Sequence, residues 1–246
     1  MDLGGVTLRK PIIGMVHLRA LPGAPGHDAA GGIDAVLFGN EHDRPYLLKA
    51  TPESLAAMAA VVATLKPALR VPFGVNYLWD PVATVALACA TGAAFAREIF
   101  TGVYASDMGS WAPDGAGALR LRAALGRHDL TLLFNVNAEF ATPLDSRPVE
   151  VRAKSAVFSS LADAICVSGP MTGQGVDQSD LERVKRAVGD VPVLANTGVT
   201  IDTVAGILRT ADGCVVGTHF KIGGVTWNPV DGLRVLRFMD AVRRLR

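Results

Sequence analysis

The sequence has few cysteines, and they lack the spacing of a metal site or a disulfide framework. Its 246 residues include only Cys89, Cys166 and Cys214, an odd number without a C-x-x-C pair. Each lies in an apolar run, which is typical of buried thiols that pack as small hydrophobic side chains. We therefore expect three unpaired, buried thiols, with Cys166 and Cys214 on strands and Cys89 on a helix, in a protein of the reducing cytoplasm.

Excess charge, aromatic side chains and long apolar runs are also scarce. The 24 basic and 23 acidic residues leave a formal charge of +1, which gives no basis for attraction to nucleic acid or to an anionic membrane. Aromatic residues make up 6% of the chain, too few to favour base-stacking surfaces. No apolar run reaches the ~20 residues of a membrane-spanning helix, and Met1–Lys10 lacks the apolar core of a signal peptide. We expect no nucleic-acid partner and no integral membrane span.

Short apolar strands alternate with amphipathic helices along the chain. Several strands are apolar at consecutive positions, as in LTLLFNV and GCVV, which is typical of parallel strands covered on both faces. This alternation predicts one α/β domain over 1–246, a closed (β/α)8 TIM barrel. A doubly wound sheet is the alternative, but no G-x-G-x-x-G motif follows the first strand. The predicted strands are Ile12–His17, Ile33–Phe38, Val71–Asn76, Ala94–Phe100, Leu130–Asn137, Ala164–Val167, Val193–Ala195 and Gly213–Val216.

The sequence predicts one helix fewer than the strands require. Thr51 before Pro52 is a typical helix start. The segment Leu18–Gly32, between the first two strands, is rich in Gly, Pro and Ala and has no helical period. Either the chain crosses here without a regular helix, with the two strands still adjacent and parallel, or residues are missing from this stretch. The predicted helices are Pro52–Lys66, Val82–Ala90, Ala116–Gly126, Val149–Leu161, Ser179–Val188, Ile201–Leu208 and Pro229–Leu245.

Small and polar residues follow the last three predicted strands, at the C-terminal end of the barrel. Glycine lets backbone N–H groups approach an anion closely, and a helix N-terminus after the seventh strand would add partial positive charge. Barrels frequently bind phosphate here; the alternative is that these glycines only form tight turns. Lys221 lies either at the anion or on the surface. We predict that one phosphate is bound by Asn196, Thr197, Gly198, Gly217 and Thr218, with Ser168, Gly169 and Thr172 beside them.

Four residues near strand ends are candidate catalytic groups. Glu98 is a candidate acid or base if its side chain points into the barrel mouth, and otherwise forms a structural ion pair with Arg97. Asp107 either acts as a base or caps its loop. His17, at the end of the first strand, either takes part in catalysis or is a hydrogen-bonded core residue. The fourth candidate is Asp43.

Amide and acidic side chains at the barrel mouth are candidates for binding the rest of a ligand. Asn135 and Asn137 share strand parity, and their uncharged amides suit ribose hydroxyls or the edge of a base. The full set is Asn40, Asn76, Asn135, Asn137 and Glu139. A metal site at Glu41, His42 and Asp43 is disfavoured because no second histidine has suitable spacing. We expect no metal and no cofactor.

Several longer motifs resemble the BtpA/SgcQ family. They are KPIIGMVHLRALPGAPGH, PFGVN, FTGVYASDMG, DAICVSGPMTG, ANTGVT and ADGCVVGTHFKIGGVTWNPVD, which occur in the family's order over nearly the whole chain. The resemblance implies a (β/α)8 barrel. It also implies two kinds of role, because the family is named for stabilising photosystem I in cyanobacteria, whereas SgcQ-type members are described as nucleosidases or proteins of sugar metabolism.

The chain departs from the family pattern at two places in the predicted barrel mouth. After the second strand the family usually has E-N-F-G-D-x-P-F; here Gly39 stands at the glutamate position, while Asn40 matches. After the fifth strand the family usually has an acidic residue followed by Lys-His. Here Asn135 takes the acidic position, and Glu139 and Phe140 replace Lys-His. These changes of charge indicate a specialised member.

Two functions compete for a bacterial, cytoplasmic protein of this kind. The first is an enzyme that makes or breaks a glycosidic bond in a phosphorylated sugar, nucleoside or nucleotide, with Glu98 and Asp107 as its carboxylates. The second is a BtpA-like biogenesis or assembly factor that keeps the phosphate pocket but not the chemistry, which the changed charges favour. A homo-oligomer is compatible with either, and turnover of a bound ligand would distinguish them.

Overall fold

Eight parallel strands close into a barrel at the centre of the computed structural model, which describes residues 1–17 and 32–246. Numbered in chain order among all strands, the barrel strands are β3 (Ile12–His17), β4 (Ala35–Gly39), β5 (Phe73–Asn76), β6 (Phe95–Glu98), β9 (Thr131–Asn135), β11 (Ala164–Val167), β12 (Val193–Ala195) and β13 (Gly213–Val216). Neighbouring strands follow chain order around the barrel, and β13 pairs with β3 to close it. The predicted (β/α)8 barrel is confirmed.

The first two barrel strands are adjacent and parallel, as predicted. The crossover between them was predicted to be irregular over Leu18–Gly32, and residues 18–31 of that segment lie outside the described residues. A short antiparallel hairpin, β1 (Asp2–Leu3) with β2 (Val6–Thr7), precedes the barrel. Leu3 packs with side chains of the barrel lumen, so this hairpin covers the N-terminal end of the barrel.

Helices in the described residues follow the predicted pattern and cover the outside of the barrel. Thr51 accepts a hydrogen bond from the Ser54 N–H at 3.3 Å, as a helix N-cap does. Two starts, those of the sixth and seventh helices, were predicted three residues too early. Before the sixth helix, the Thr203 hydroxyl accepts from the Thr200 N–H at 3.0 Å and holds a turn. The helices are α1 (Pro52–Leu65), α2 (Pro81–Thr91), α3 (Gly115–Ala124), α4 (Val149–Ser160), α5 (Gln178–Val188), α6 (Val204–Thr210) and α7 (Gly232–Arg243). None of these is long and apolar enough to cross a membrane.

Alternate residues of each barrel strand enter two different hydrophobic cores. On β6, Phe95 packs in the barrel lumen, whereas Ala96 packs between the barrel and the helices. Side chains of a strand alternate in direction, so Arg97 points into the barrel and Glu98 has the outward parity of Ala96. Glu98 is the last residue of β6 and still lines the barrel mouth, so its acid–base role stays a prediction.

A three-stranded antiparallel sheet packs behind residues of the barrel mouth and was not predicted. Its strands are β7 (Tyr104–Ser106), β8 (Gly109–Trp111) and β10 (Ala141–Pro143), in the order β10-β7-β8. Tyr104 and Trp111 pack with Trp79, which follows β5, and with Ile99, which follows β6. Three-residue strands are too short for alternation to be visible in the sequence.

The three thiols are free, but only two of them are buried. Cys166 lies on β11 and Cys214 on β13, and burial raises the pKa of each thiol to about 12. Cys89 lies on α2 as predicted but is half-buried, so the prediction that it is fully buried is wrong. Cys89 lies near the end of α2 and packs against the core with only part of its surface.

Asp80, the N-cap of α2, makes two separate contributions to the fold. Its Oδ1 accepts from the Ala83 N–H at 3.1 Å, and its Oδ2 accepts from the Ala50 N–H at 3.0 Å. Because Asp80 is buried, Asp80→Ala leaves both donors without a partner, and we expect it to lower the free energy of unfolding by about 2–3 kcal/mol in urea titrations. Asp114 is an exposed N-cap of α3, so Asp114→Ala should cost only about 1 kcal/mol. Equal losses would contradict this assignment.

Candidate functional site

A cleft of about 700 Å³ opens at the C-terminal ends of the barrel strands. This is the end at which barrel proteins bind their ligands. Residues that follow seven of the eight barrel strands line it, and apolar walls come from side chains such as Tyr46 and Trp79. Its polar lining comprises Glu41, Arg97, Glu98, Asn135, Glu139, Thr172, Asn196, Thr197 and Thr218.

The Arg97 guanidinium lies at the floor of the cleft and forms hydrogen bonds to residues on different sides of the barrel. Its Nη1 donates to Asn196 Oδ1 on the far side at 2.8 Å, and its Nη2 donates to Asn76 Oδ1. Arg97 is only 6% exposed. A buried cation with two amide acceptors fixes the rotamers of Asn76 and Asn196. The sequence analysis missed this residue as a site component, although it shares strand parity with Phe95.

Glu98 is held by three N–H donors of the protein. Its Oε1 accepts from the Ile99 N–H at 2.7 Å, and its Oε2 accepts from the Trp79 N–H at 3.2 Å and from Asn76 Nδ2 at 2.5 Å. Trp79 has a φ of 74°, the left-handed conformation that non-glycine residues rarely adopt. Burial raises the pKa of Glu98 to about 8, although these donors and Arg97 oppose that shift. The geometry suits fixing the turn at Trp79; catalysis by Glu98 stays a prediction.

Glu139 brings a carboxylate to the cleft from the loop after β9. Its Oε2 accepts from the Thr172 hydroxyl at 2.8 Å, and its Oε1 accepts from Ser168 Oγ and Asn196 Nδ2, each at 3.4 Å. Burial raises the pKa of this carboxyl, while Arg97 lowers it. Loops after three different strands therefore meet at Glu139, and its role in binding a ligand stays a prediction.

Glu41 brings a second carboxylate to the cleft, in the space beside Gly39. A Cβ on Gly39 would lie 2.6 Å from both carboxylate oxygens of Glu41. The family's usual glutamate position is thus empty, and a carboxylate from two residues later occupies its place. Burial raises the pKa of Glu41 to about 7, opposed by Arg97 and Lys221. Lys221 is 4% exposed, so the surface alternative for this lysine is wrong.

The residues predicted to bind phosphate line the same cleft from the loops after β11, β12 and β13. Thr197, Gly198, Gly217 and Thr218 are all part of the lining, together with Gly173. Within the described residues, the N–H groups of Gly173 and Gly198 make no hydrogen bond. A Cβ on Gly198 would overlap the neighbouring backbone of the β11 loop, so the close approach of these loops requires glycine.

The helix that was predicted to add positive charge at Gly198 does not do so. The chain turns through residues 200–203 before α6 begins at Val204, and α6 is only 7 residues long. The phosphate prediction therefore depends on loop N–H groups and hydroxyls alone. Thr197 Oγ1 accepts from the Gly169 N–H at 2.6 Å, which fixes the orientation of that hydroxyl.

Several predicted site residues lie outside the cleft or serve the protein's own structure. Asp43 and Asp107 are both exposed and are not part of the lining, Asp107 being on the turn between β7 and β8. Asn40 accepts from the Leu78 N–H at 2.8 Å, which links two loops. Asn137 exchanges two hydrogen bonds with the Ser168 backbone. His17 ends β3, and its side chain is not among those described.

Comparison with known proteins agrees with this architecture. A sequence model of the BtpA family matches residues 8–244. The chain belongs to the BtpA family. It is 46% identical to the putative sgc region protein SgcQ of Escherichia coli over 98% of this chain and 97% of SgcQ. It is 29% identical to the photosystem I biogenesis protein BtpA of Synechocystis, over 95% of this chain and 88% of that protein.

Solved structures that resemble this BtpA-family chain share its barrel at low sequence identity. Phosphoribosyl anthranilate isomerase from Thermus thermophilus superposes with a TM-score of 0.60 at 14% identity, over 96% of this chain and 100% of that one. A structure titled native KDPGal has a TM-score of 0.59 at 15% identity, over 98% of both chains. These likenesses concern the fold. Among the described residues, no group of three or more His, Cys, Asp or Glu side chains is arranged to hold a metal ion.

The raised pKa of Glu41 predicts a particular dependence of stability on pH. Between its ordinary pKa of 4.5 and about 7, the folded protein binds a proton that the unfolded chain releases. The stability of the wild type relative to Glu41→Gln should therefore fall as pH rises through this window and level off above it. Unfolding of both proteins in urea between pH 4 and pH 9 measures this difference.

Glu53→Gln is the matched control, because Glu53 is an exposed residue in the first turn of α1. Its stability difference from the wild type should change little between pH 6 and pH 9. A constant difference between wild type and Glu41→Gln across the whole range would contradict the burial of a titrating carboxyl at Gly39.

Proposed function

We propose that this chain, as one barrel domain, binds a phosphorylated small molecule and acts as an enzyme at a glycosidic bond of a phosphosugar, nucleoside or nucleotide. The observation that carries the proposal is the shared cleft. Glycine-containing loops after β11, β12 and β13 line one part of it, and Glu41 and Glu139 line another beside Arg97. The unpaired thiols favour the bacterial cytoplasm as its location.

The loops after the last three barrel strands supply neutral groups that suit a phosphate. The unbonded N–H groups of Gly173 and Gly198 and the hydroxyl of Thr218 border the same space. Concave arrangements of backbone N–H groups bind anions without a side-chain cation. Thr218 Oγ1 lies 2.9 Å from Thr226 Oγ1, so one of the two hydroxyls is free to donate elsewhere.

Glu41 and Glu139 replace Glu98 and Asp107 as the carboxyl pair that we propose for the chemistry. Cleavage of a glycosidic bond uses one carboxylic acid to protonate the leaving oxygen or nitrogen and a second carboxylate to act at the anomeric carbon. Burial raises the pKa of both residues, and the charge of Glu41 raises the pKa of Glu139 further. A raised pKa lets a carboxyl of the pair hold the proton that an acid must donate.

The alternative function is a binding or assembly factor without turnover. The relative from Synechocystis is named a photosystem I biogenesis protein, and Glu139 and Phe140 stand where the family usually has Lys-His. Both functions retain a phosphorylated ligand. They differ in whether that ligand is converted.

The distinguishing experiment is capture of metabolites from a bacterial extract, followed by mass spectrometry and incubation of the captured ligand with fresh protein. If the wild type converts the captured ligand, and Glu139→Gln binds the ligand without converting it, the result supports an enzyme. Retention of an unchanged ligand by both proteins supports the assembly factor.

A carboxylate at position 217 should exclude phosphate from the cleft. Gly217 lies in the lining, and its φ of −113° is outside the left-handed region that favours glycine, so Gly217→Asp places a charge in the cleft. Like charges about 4 Å apart repel by about 4 kcal/mol near a protein surface. We expect calorimetric titration to show at least a hundredfold weaker binding of phosphorylated ligands.

Gly232→Asp is the matched control, because a side chain at that position meets no atom within 4 Å and lies at the start of α7. It introduces the same charge without approaching the lining and should bind like the wild type. If Gly217→Asp also binds like the wild type while remaining folded, the phosphate assignment is wrong.

A further inference from the structure

We propose that the part of the ligand distant from its phosphate is a neutral polyhydroxyl group, and that Trp79, Arg97 and Asn135 bind its hydroxyls. This inference rests on the proposed phosphate site, since it concerns the other end of the same ligand. It specifies a sugar phosphate with free hydroxyls, as opposed to a phosphorylated carboxylic acid or a ligand recognised through a base.

Three polar atoms in the cleft lining have no hydrogen-bond partner among the described residues. They are Trp79 Nε1, Arg97 Nε and Asn135 Oδ1. The three residues are 4%, 6% and 4% exposed, respectively. Buried polar groups are almost always hydrogen-bonded, because burying one without a partner costs about 1–3 kcal/mol of desolvation free energy. Three such atoms in one cleft indicate a partner that comes from outside the chain.

The chemistry of these atoms defines what the partner must offer. Trp79 Nε1 and Arg97 Nε are donors, so the ligand needs acceptors for them, while Asn135 Oδ1 is an acceptor and needs a donor. The Asn135 amide makes no side-chain hydrogen bond to any described residue, so both of its ends are available. A hydroxyl both donates and accepts. Neighbouring hydroxyls of a sugar therefore satisfy all three residues.

The charge around these atoms disfavours an anionic group at this end. Glu41, Glu98 and Glu139 line the same region, and Arg97 already donates to Asn76 and Asn196. A ligand carboxylate would accept from Trp79 and Arg97 but would face three carboxyls and the Asn135 oxygen. A neutral hydroxyl avoids this repulsion.

The position of the Trp79 indole is fixed by its surroundings. Its ring packs edge-on against Trp111, with centroids 5.2 Å apart at 88°, and against Tyr46 at 5.9 Å. The backbone N–H of Trp79 donates to Glu98 Oε2 at 3.2 Å, which fixes the turn that carries the ring. An indole N–H held in this way is a preorganised donor, which binds a ligand without loss of rotamer freedom. Trp111 belongs to the same aromatic cluster but does not line the cleft.

The test is calorimetric titration of the wild type, Asn135→Leu, Trp79→Phe and Trp111→Phe. The probes are ribose 5-phosphate, glucose 6-phosphate, 3-phosphoglycerate, uridine 5′-phosphate and inorganic phosphate. We expect the wild type to bind at least one of the two sugar phosphates ten times more tightly than 3-phosphoglycerate or inorganic phosphate. Asn135→Leu and Trp79→Phe should each bind that sugar phosphate, and only that probe, about tenfold more weakly, as expected for the loss of one hydrogen bond. Trp111→Phe should bind it like the wild type.

The outcomes separate this inference from the proposed function. Equal affinity for 3-phosphoglycerate and the sugar phosphates, or tight binding of uridine 5′-phosphate without either sugar phosphate, overturns the polyhydroxyl assignment and leaves the phosphate site standing. Unchanged affinity in both Asn135→Leu and Trp79→Phe also overturns it. Binding of sugar phosphates that is equal in the wild type and Gly217→Asp overturns the phosphate site instead. A folded wild type that binds no probe overturns both.

Discussion

The candidate site depends on one buried cation, the Arg97 guanidinium. It reaches from β6 to Asn196 beyond β12 and contacts Asn76 on β5, so it joins strands on opposite sides of the barrel. A buried charge is costly unless it is paired and hydrogen-bonded. Here the compensation comes from two amide oxygens and from the nearby carboxyls Glu41 and Glu139, whose pKa values it lowers against the effect of burial. Removing the guanidinium would leave those carboxyls without their central counter-charge.

Glu41 supplies a carboxyl beside Gly39, in the space that a side chain at position 39 would occupy. Gly39 leaves a space that the Glu41 side chain fills from two residues further along the loop. A side chain at position 39 and the observed conformation of Glu41 exclude each other sterically. The two positions therefore act as a pair, and in this chain the carboxyl close to Arg97 and Lys221 comes from Glu41.

The barrel was predictable from the sequence because its strands are apolar at consecutive positions, a pattern that few other folds require. The cleft was only partly predictable. The loops after β12 and β13 follow from their glycines, but the inward direction of Arg97 depends on strand parity, which a run apolar on both sides does not reveal. Trp79 and Glu41 lie in irregular loops whose course depends on tertiary contacts. The charge on Lys221 could be assigned to the surface or the interior with equal reason, and only packing around β13 decides it.

Parts of the cleft differ in the charge of their lining, and the proposed orientation of the ligand depends on this difference. Gly198, Gly217 and Thr218 offer N–H and O–H donors, whereas Thr172 and Asn196 contact the Glu139 carboxylate. Near Arg97, the positive charge is already shared between Asn76, Asn196 and two carboxyls, so a dianionic phosphate there would meet Glu41 and Glu139. In the proposed function, a phosphate is therefore better accommodated beside Gly198, Gly217 and Thr218 than beside Arg97. The reacting bond of a ligand bound in the proposed way would face the carboxyl pair, as acid–base chemistry requires.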